Sequence, residues 1–269
     1  MILLVDYHIH TFRCGHAIGT VGEYITAARK KGLTEFGFSD HLPLYWLSEE
    51  LRDRELAMTQ AELALYIDEV QKAQQLNPDL SIKLGIEADY IPGHEGELAQ
   101  LLAAIPLDYV IGSVHFLNDW AFDDPAQLDK YKDFNIDDLY YNYFDHVRRA
   151  AETGLFDIIG HPDLIKKFGF RASMPLEGLY LDTVLALKKN DLCVDVNAAG
   201  WRYPCGELYP APEFLALCHE YGVPVTLGSD AHKPELVGEG LERAVEILKS
   251  IGFRQVAVFE KRRRSLVDL

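Results

Sequence analysis

The stretch Ile2-Leu3-Leu4-Val5-Asp6-Tyr7-His8-Ile9-His10 decides the fold. Four apolar residues run straight into alternating polar and apolar side chains that end in two histidines. On an extended strand residues i and i+2 face the same way, so His8 and His10 are expected to grip one cation together. Imidazole is the commonest metal ligand near neutral pH. The same grammar returns five times, from Glu35 to His41, Ile82 to Glu87, Tyr109 to His115, Asp157 to His161 and Val223 to His232. Each is a short apolar run that delivers His, Asp or Glu at its end. One such ending means little; six point to a polynuclear metal site assembled from strand ends.

Between these runs lie stretches of helical periodicity, at about 21–31 (Val21, Tyr24, Ile25, Ala28), 59–76, 95–104, 136–152, 176–189, 211–221 and 239–250. Thr59 before the Glu62 segment, Pro212 in an opening turn, and Gly154 and Gly222 past an end are start and stop signals. Strands are expected at about 2–7, 35–39, 82–89, 108–112, 156–160, 192–196 and 223–228. Strands alternating with helices predict parallel βα units. No repeat, linker or low-complexity stretch divides the chain, so one domain over 1–269 is expected. Seven units in this order suggest an α/β fold of the TIM-like (β/α)7 barrel type. Barrel enzymes carry their chemistry on loops at the C-terminal ends of the strands, where every candidate ligand falls. Segments 42–58 and 116–135 lack simple periodicity and are expected at the rim, shaping access.

The chain has 269 residues, 48% of them hydrophobic, which suits an ordinary globular protein with a sizeable core. No apolar run approaches the roughly 18–20 residues needed to span a bilayer. The N-terminus lacks a basic region ahead of its short apolar run, so a signal peptide is not expected and the protein is read as cytoplasmic. Cys14, Cys193, Cys205 and Cys218 form no CxxC pair and suggest no disulfide framework. Cys14 lies near His16, but the other candidate ligands are N and O donors, and a small loop residue is the favoured reading. With 42 acidic against 26 basic residues the net charge is −16, which opposes a nucleic-acid backbone. The cluster Lys261 to Arg264 reads as a solvated or salt-bridged end.

Seven of the ten histidines support one another as ligands: His8, His10, His16, His41, His115, His161 and His232. Asp230 stands two residues before His232, repeating the His8–His10 spacing. Glu87 ends an apolar run where an unpaired carboxylate would be costly to bury, and two oxygens let it bridge two metals. Asp6 and Asp40 are expected to orient ligating imidazoles. His94 in a turn, and His146 and His219 in polar helical segments, are read as lying outside the site.

These segments resemble the PHP (polymerase and histidinol phosphatase) metallohydrolases: Asp6 to Thr11, Phe38 to His41, Glu87, Gly112 to His115, Gly160 to Asp163 and Gly228 to His232. The resemblance covers residue 2 to about 250. Its length and the Gly112 to Phe116 segment look most like the stand-alone histidinol-phosphate phosphatases. The resemblance implies a distorted (β/α)7 barrel with three divalent metal ions. By matched motif, His8, His10, Glu87 and Asp230 would hold the first, Glu87, His115 and His161 the second, and His16, His41 and His232 the third. N and O donors suit Zn, Fe and Mn alike.

The chemistry implied is hydrolysis of a small phosphomonoester, L-histidinol phosphate, by attack of a metal-bridging hydroxide, with Glu87, Asp230 and His232 in the catalytic centre. Metal coordination lowers the pKa of water towards ~7. A phosphate dianion also calls for a protein cation. Arg202 follows the sixth strand in Asn197 to Arg202, which resembles the family's Asn-x-x-Gly-x-Arg segment, and is the expected catalytic and phosphate-binding arginine. Among Lys166, Lys167 and Arg171, Arg171 is the second choice. The acidic and aromatic group Asn118, Asp119, Trp120, Phe122, Asp123 and Asp124 fits a cationic substrate. Two rival readings are a PHP enzyme acting on another small phosphoester or short nucleotide phosphodiester, and an idle metal-binding subunit. Missing ligands would mark the latter, and the set is complete. An amidohydrolase barrel shares the opening His-x-His but has no counterparts of His16 and His41.

Overall fold

The computed structural model describes residues 4–269, so the first two residues of the strand expected at 2–7 lie outside the described residues. Seven parallel strands form one sheet: β1 (Val5–Ile9), β2 (Glu35–Phe38), β3 (Ser81–Asp89), β4 (Tyr109–Ser113), β5 (Ile158–Ile159), β6 (Cys193–Asn197) and β7 (Val225–Gly228). Their spatial order is their chain order, as expected for successive βα units. The edges meet at the rim, where Ile9 bridges Ala231, His10 N donates to Ala231 O at 2.9 Å and Ala231 N to His8 O at 3.2 Å. The result is a nearly closed, distorted (β/α)7 barrel.

The helices are α1 (Val21–Lys31), α2 (Gln60–Leu76), α3 (Glu95–Ala103), α4 (Ile136–Glu152), α5 (Glu177–Lys189), α6 (Pro212–Tyr221) and α7 (Leu241–Ile251). Helices α1 and α2 start with full capping boxes, Thr20 with Glu23 and Thr59 with Glu62, which satisfy amide groups that a helix start leaves unpaired. Both faces of the sheet are covered, so the strands are apolar on both sides.

Below the rim the barrel is filled by Tyr109, whose hydroxyl donates to Tyr7 O at 2.7 Å. A Cβ on Gly37 or Gly85 would lie 2.3 or 2.2 Å from this side chain, so the ring requires glycine at both positions. One continuous core runs from Val5 to Phe259.

Two hairpins were not expected. Phe116–Leu117 pairs with Trp120–Ala121, inside a rim segment that also holds the 3-10 turns Pro125–Asp133. At the C-terminus Gln255–Glu260 pairs with Arg263–Asp268. Its inner strand lies along the β1–β7 seam, where Phe259 N donates to the Tyr7 hydroxyl at 2.9 Å and Thr226 Oγ1 to Ala257 O at 2.9 Å. The basic cluster forms its turn, and Arg262 binds Asp157 at 2.7 Å, so the salt-bridged reading holds.

Candidate metal centre

The C-terminal strand ends bring all nine expected ligands to one place. Strand β1 supplies His8 and His10, and the loop beyond it His16. His41 follows β2, Glu87 lies within β3, His115 follows β4, His161 follows β5, and Asp230 and His232 follow β7. Glu87 is central. Its Oε2 lies 3.2 Å from His8 Nε2, 3.4 Å from His10 Nε2 and 3.1 Å from His41 Nδ1. Its Oε1 lies 3.1 Å from His161 Nε2 and 3.6 Å from His115 Nε2. Asp230 Oδ1 stands 3.4 Å from His10 Nε2 and 3.9 Å from His8 Nε2. His16 and His232 face each other with Nε2 atoms 2.9 Å apart, and the His16 and His41 rings are centred 5.1 Å apart.

The donor set fits divalent cations. His8 Nε2, both nitrogens of His10, Glu87 Oε2 and His161 Nδ1 are buried without a hydrogen-bond partner. Buried polar atoms are normally paired, and the four residues that carry these atoms fall in groups of three that bring one donor each within 4.8 Å of one another: His8, His10 and Asp230; His8, Glu87 and His161; His10, His41 and His232. A further group joins His41, Glu87 and His115. Cys14 is buried with its sulfur in such a group with His16 and His232, closer than the loop reading implied. His94, His146 and His219 belong to none of these groups.

The local charges agree at four of the donors, while against burial the neighbouring carboxylates Glu87, Asp230 and Asp195 push His8 up, and Asp89, Asp123 and Glu87 push His115 up. Burial, and then His232, depress His10 to about 3 and His16 to about 4, so both imidazoles are neutral near pH 7. Burial opposes ionisation of Glu87, yet His8, His41 and His115 hold its carboxyl well below the usual range. Asp230 is held down likewise, against burial, by His8 and its other histidine neighbours.

The partners that orient the ligands differ from those expected. Among the described residues, Asp6 and Asp40 make no hydrogen bond to an imidazole. Asp6 accepts from Ser229 N at 2.8 Å and Gly238 N at 2.9 Å, and Asp40 accepts from the Thr11 amide and hydroxyl, so both fix loop backbone. Asp195 Oδ2 meets His8 Nδ1 at 2.8 Å, and Asp89 Oδ1 meets His115 Nδ1 at 2.9 Å. Each turns the other ring nitrogen of its histidine inward. Asn197 Nδ2 donates to Asp195 at 3.0 Å and to Asp230 Oδ2 at 3.2 Å. The signal was in the sequence: Asp89 is two residues beyond Glu87, and Asn197 two beyond Asp195, the same-face spacing of His8 and His10.

A cavity of about 540 Å³ opens over the cluster, lined in part by Asp53, Glu55, Phe116, Asp123, Asp124, Lys167 and Tyr203. Segments 42–58 and 116–135 thus shape access, as expected. Lys167 is the one lysine or arginine among the lining residues. Its Nζ lies 3.0 Å from Asp123 Oδ2 and 4.6 Å from the Tyr203 ring centre. Burial opposes its charge, but Asp123, Tyr203 and Asp230 together raise it above its ordinary value and keep it protonated. The three residues expected to contact substrate do not line this cavity. Arg202 turns away to the carbonyls of Ser229 and Asp230 and to Glu239. Arg171 is held by Glu207 at 2.9 Å and by Cys205 O at 3.0 Å. Asp119 is exposed in the turn of the short hairpin, while its neighbours Asp123 and Asp124 reach the cavity.

A parallel barrel whose strand ends converge buried histidine and carboxylate donors defines a metal-binding α/β barrel protein. The PHP domain model matches residues 6–199, and the PHP-associated model matches residues 214–247, which include β7 and the two donors that follow it. The chain belongs to the PHP family. It is 42% identical over 255 residues to a "Probable histidinol-phosphatase" of Deinococcus radiodurans, covering 94% of this chain and 95% of that one. It is 30% identical over 264 residues to the "Histidinol-phosphatase" of Bacillus subtilis, covering 90% and 98%. The crystal structure of the histidinol phosphate phosphatase of Lactococcus lactis, complexed with zinc, L-histidinol and phosphate, superposes with a TM-score of 0.84 at 21% identity, covering 98% of this chain and 100% of that one. At that identity the likeness is one of fold.

Proposed function

We propose that this protein is a metal-dependent phosphatase that hydrolyses L-histidinol phosphate to L-histidinol and phosphate, in the cytoplasm and within histidine biosynthesis. The observation that carries the reading is the layout of the cavity: orphaned metal donors at its base, one lysine beside them, and carboxylates at its mouth. The relatives named above, at 42% and 30% identity over nearly full length, support the same substrate.

Nine donors with Glu87 in the middle support three divalent ions, of Zn, Fe or Mn, grouped as the family motifs imply. When bound, such ions lower the pKa of water towards ~7 and offset phosphate charge. The chain's own residues do the rest. Asp195 and Asp89 meet the Nδ1 atoms of His8 and His115, which aims the Nε2 atoms of both rings at the cluster. Lys167 supplies the fixed positive charge for a phosphate oxygen, positioned by Asp123. Asp53, Glu55 and Asp124 give the outer cavity a negative field that suits an ammonium or imidazolium and disfavours polynucleotide. Catalysis of this kind rests on positioning and electrostatics rather than on a covalent protein intermediate.

The test is phosphate release from L-histidinol phosphate and from neutral phosphomonoesters of similar size, with metal content measured on the same sample. L-histidinol phosphate is expected to lead by at least about tenfold in kcat/KM, since each ~1.4 kcal/mol of differential transition-state binding is a factor of ten. A neutral ester or a dinucleotide phosphodiester as the better substrate overturns this choice.

A further inference from the structure

Two of the nine ligand residues, His161 and Asp230, have positive φ angles, 25° and 52°. Such angles are uncommon for residues other than glycine, and where side chains must also hold a fixed direction they call for support from their surroundings. One segment, 197–211, reaches both. Towards Asp230, one terminal nitrogen of Arg202 donates to Ser229 O at 2.8 Å and Asp230 O at 3.0 Å, while the other meets Glu239 at 3.2 Å. Asn197 binds the outer carboxylate oxygen of the same aspartate at 3.2 Å.

Towards His161, the contact runs through a buried ion pair two to five residues further along the chain. Lys166 Nζ meets Asp163 Oδ2 at 2.6 Å, and both residues are only 1% exposed. The segment completes the pair from both sides: Ala211 N donates to Asp163 at 2.8 Å, and Leu208 O accepts from Lys166 at 2.8 Å. Tyr143 closes the turn, donating to His161 O at 3.1 Å and accepting from Leu164 N at 3.2 Å. A buried pair of this kind specifies one geometry, because separating it strands a charge out of water.

We infer that segment 197–211 is a clamp for the two left-handed ligands: Arg202 positions Asp230, the Lys166–Asp163 pair positions His161, and each half governs a different metal position. Arg202 is thereby a positioning residue. This rests on the metal centre proposed above, but not on which ester is hydrolysed.

The experiment titrates metal content against buffered free metal, without substrate. Arg202→Met is expected to weaken one metal equivalent by on the order of 10- to 100-fold, the usual effect of losing a residue that orients a ligand. Arg202→Lys should recover part of this. At saturating metal, KM for the phosphomonoester should stay within about twofold of the parent. Asp163→Asn with Lys166→Met removes both buried charges together, so that neither is stranded, and should weaken one equivalent. Combined with Arg202→Met it should weaken two. If the double charge variant does not fold, the Arg202 pair carries the test alone. Parental metal binding with a raised KM in Arg202→Met overturns the inference and returns Arg202 to the substrate. Equal weakening of all equivalents in either variant also overturns it, as that is general loosening.

Discussion

At the scale of single residues, the centre shows why donor identity was easier to read than donor orientation. Strand alternation places His8 with His10 and Asp230 with His232, and burial leaves Glu87 needing positive neighbours, whereas a loop residue such as His16 was carried by the matched motif. Cations follow no such rule. A long side chain can lie towards the cavity or along the surface, and its carbonyl or carboxylate neighbours decide which. Arg202 finds two backbone carbonyls, Arg171 finds Glu207, and Lys167 is left at the cavity. Lys167→Met is therefore expected to leave metal content unchanged and to lower kcat/KM by on the order of 2–4 kcal/mol, or roughly 30- to 1,000-fold, as for loss of a charge-assisted contact to the reacting group. Steady-state kinetics beside metal analysis checks this. Unchanged kcat/KM would remove Lys167 from the reaction.

At the scale of elements, helices α1 to α7 match their expected ranges within two residues, because apolar periodicity and end signals agree along each. Thr59→Ala is expected to cost about 1 kcal/mol, the usual effect of losing an N-cap, seen as a lower midpoint in urea with no change in metal content. The strands were legible as apolar runs, but not the reason for the glycines within them, since the Tyr109 ring that needs Gly37 and Gly85 arrives from a distant part of the chain. Gly85→Ala should cost at least about 1–3 kcal/mol, because the added Cβ meets a ring tied to the Tyr7 and Phe38 carbonyls. Stability equal to the parent would mean that the ring can move. The C-terminal hairpin escaped notice for a different reason. Lys261 to Arg264 interrupt its alternation at the turn, and the anchors of that turn, Asp108, Leu155, Asp157 and Asp191, lie 73 to 153 residues away.

At the scale of the whole molecule, the seven-unit barrel was legible because each strand announces itself with a ligand or an apolar run, whereas the manner of closure was not. Nothing in the sequence says that, among the described residues, β1 and β7 meet at the rim through a single bridge made by two backbone hydrogen bonds. The same edges carry His8, His10, Asp230 and His232, four of the nine donors. Metal binding and barrel closure are therefore expected to be coupled: a cation shared between the His8–His10 edge and Asp230 would tie the seam together where the sheet itself pairs least among the described residues. Strands β3 and β4, joined by a five-pair ladder, have no such need. Ligands that bind only the folded state stabilise it by mass action, about 2.7 kcal/mol for each site at a hundredfold excess over its Kd. Chelation should accordingly lower Tm, and the loss should be uneven. In hydrogen exchange, the amides of His10 and Ala231 should lose protection on chelation well before those of Ile111 and Gly112 in β4, and should regain it when metal is restored. Equal loss across both regions would mean that the metals stabilise the barrel as a whole and play no special part in closing it.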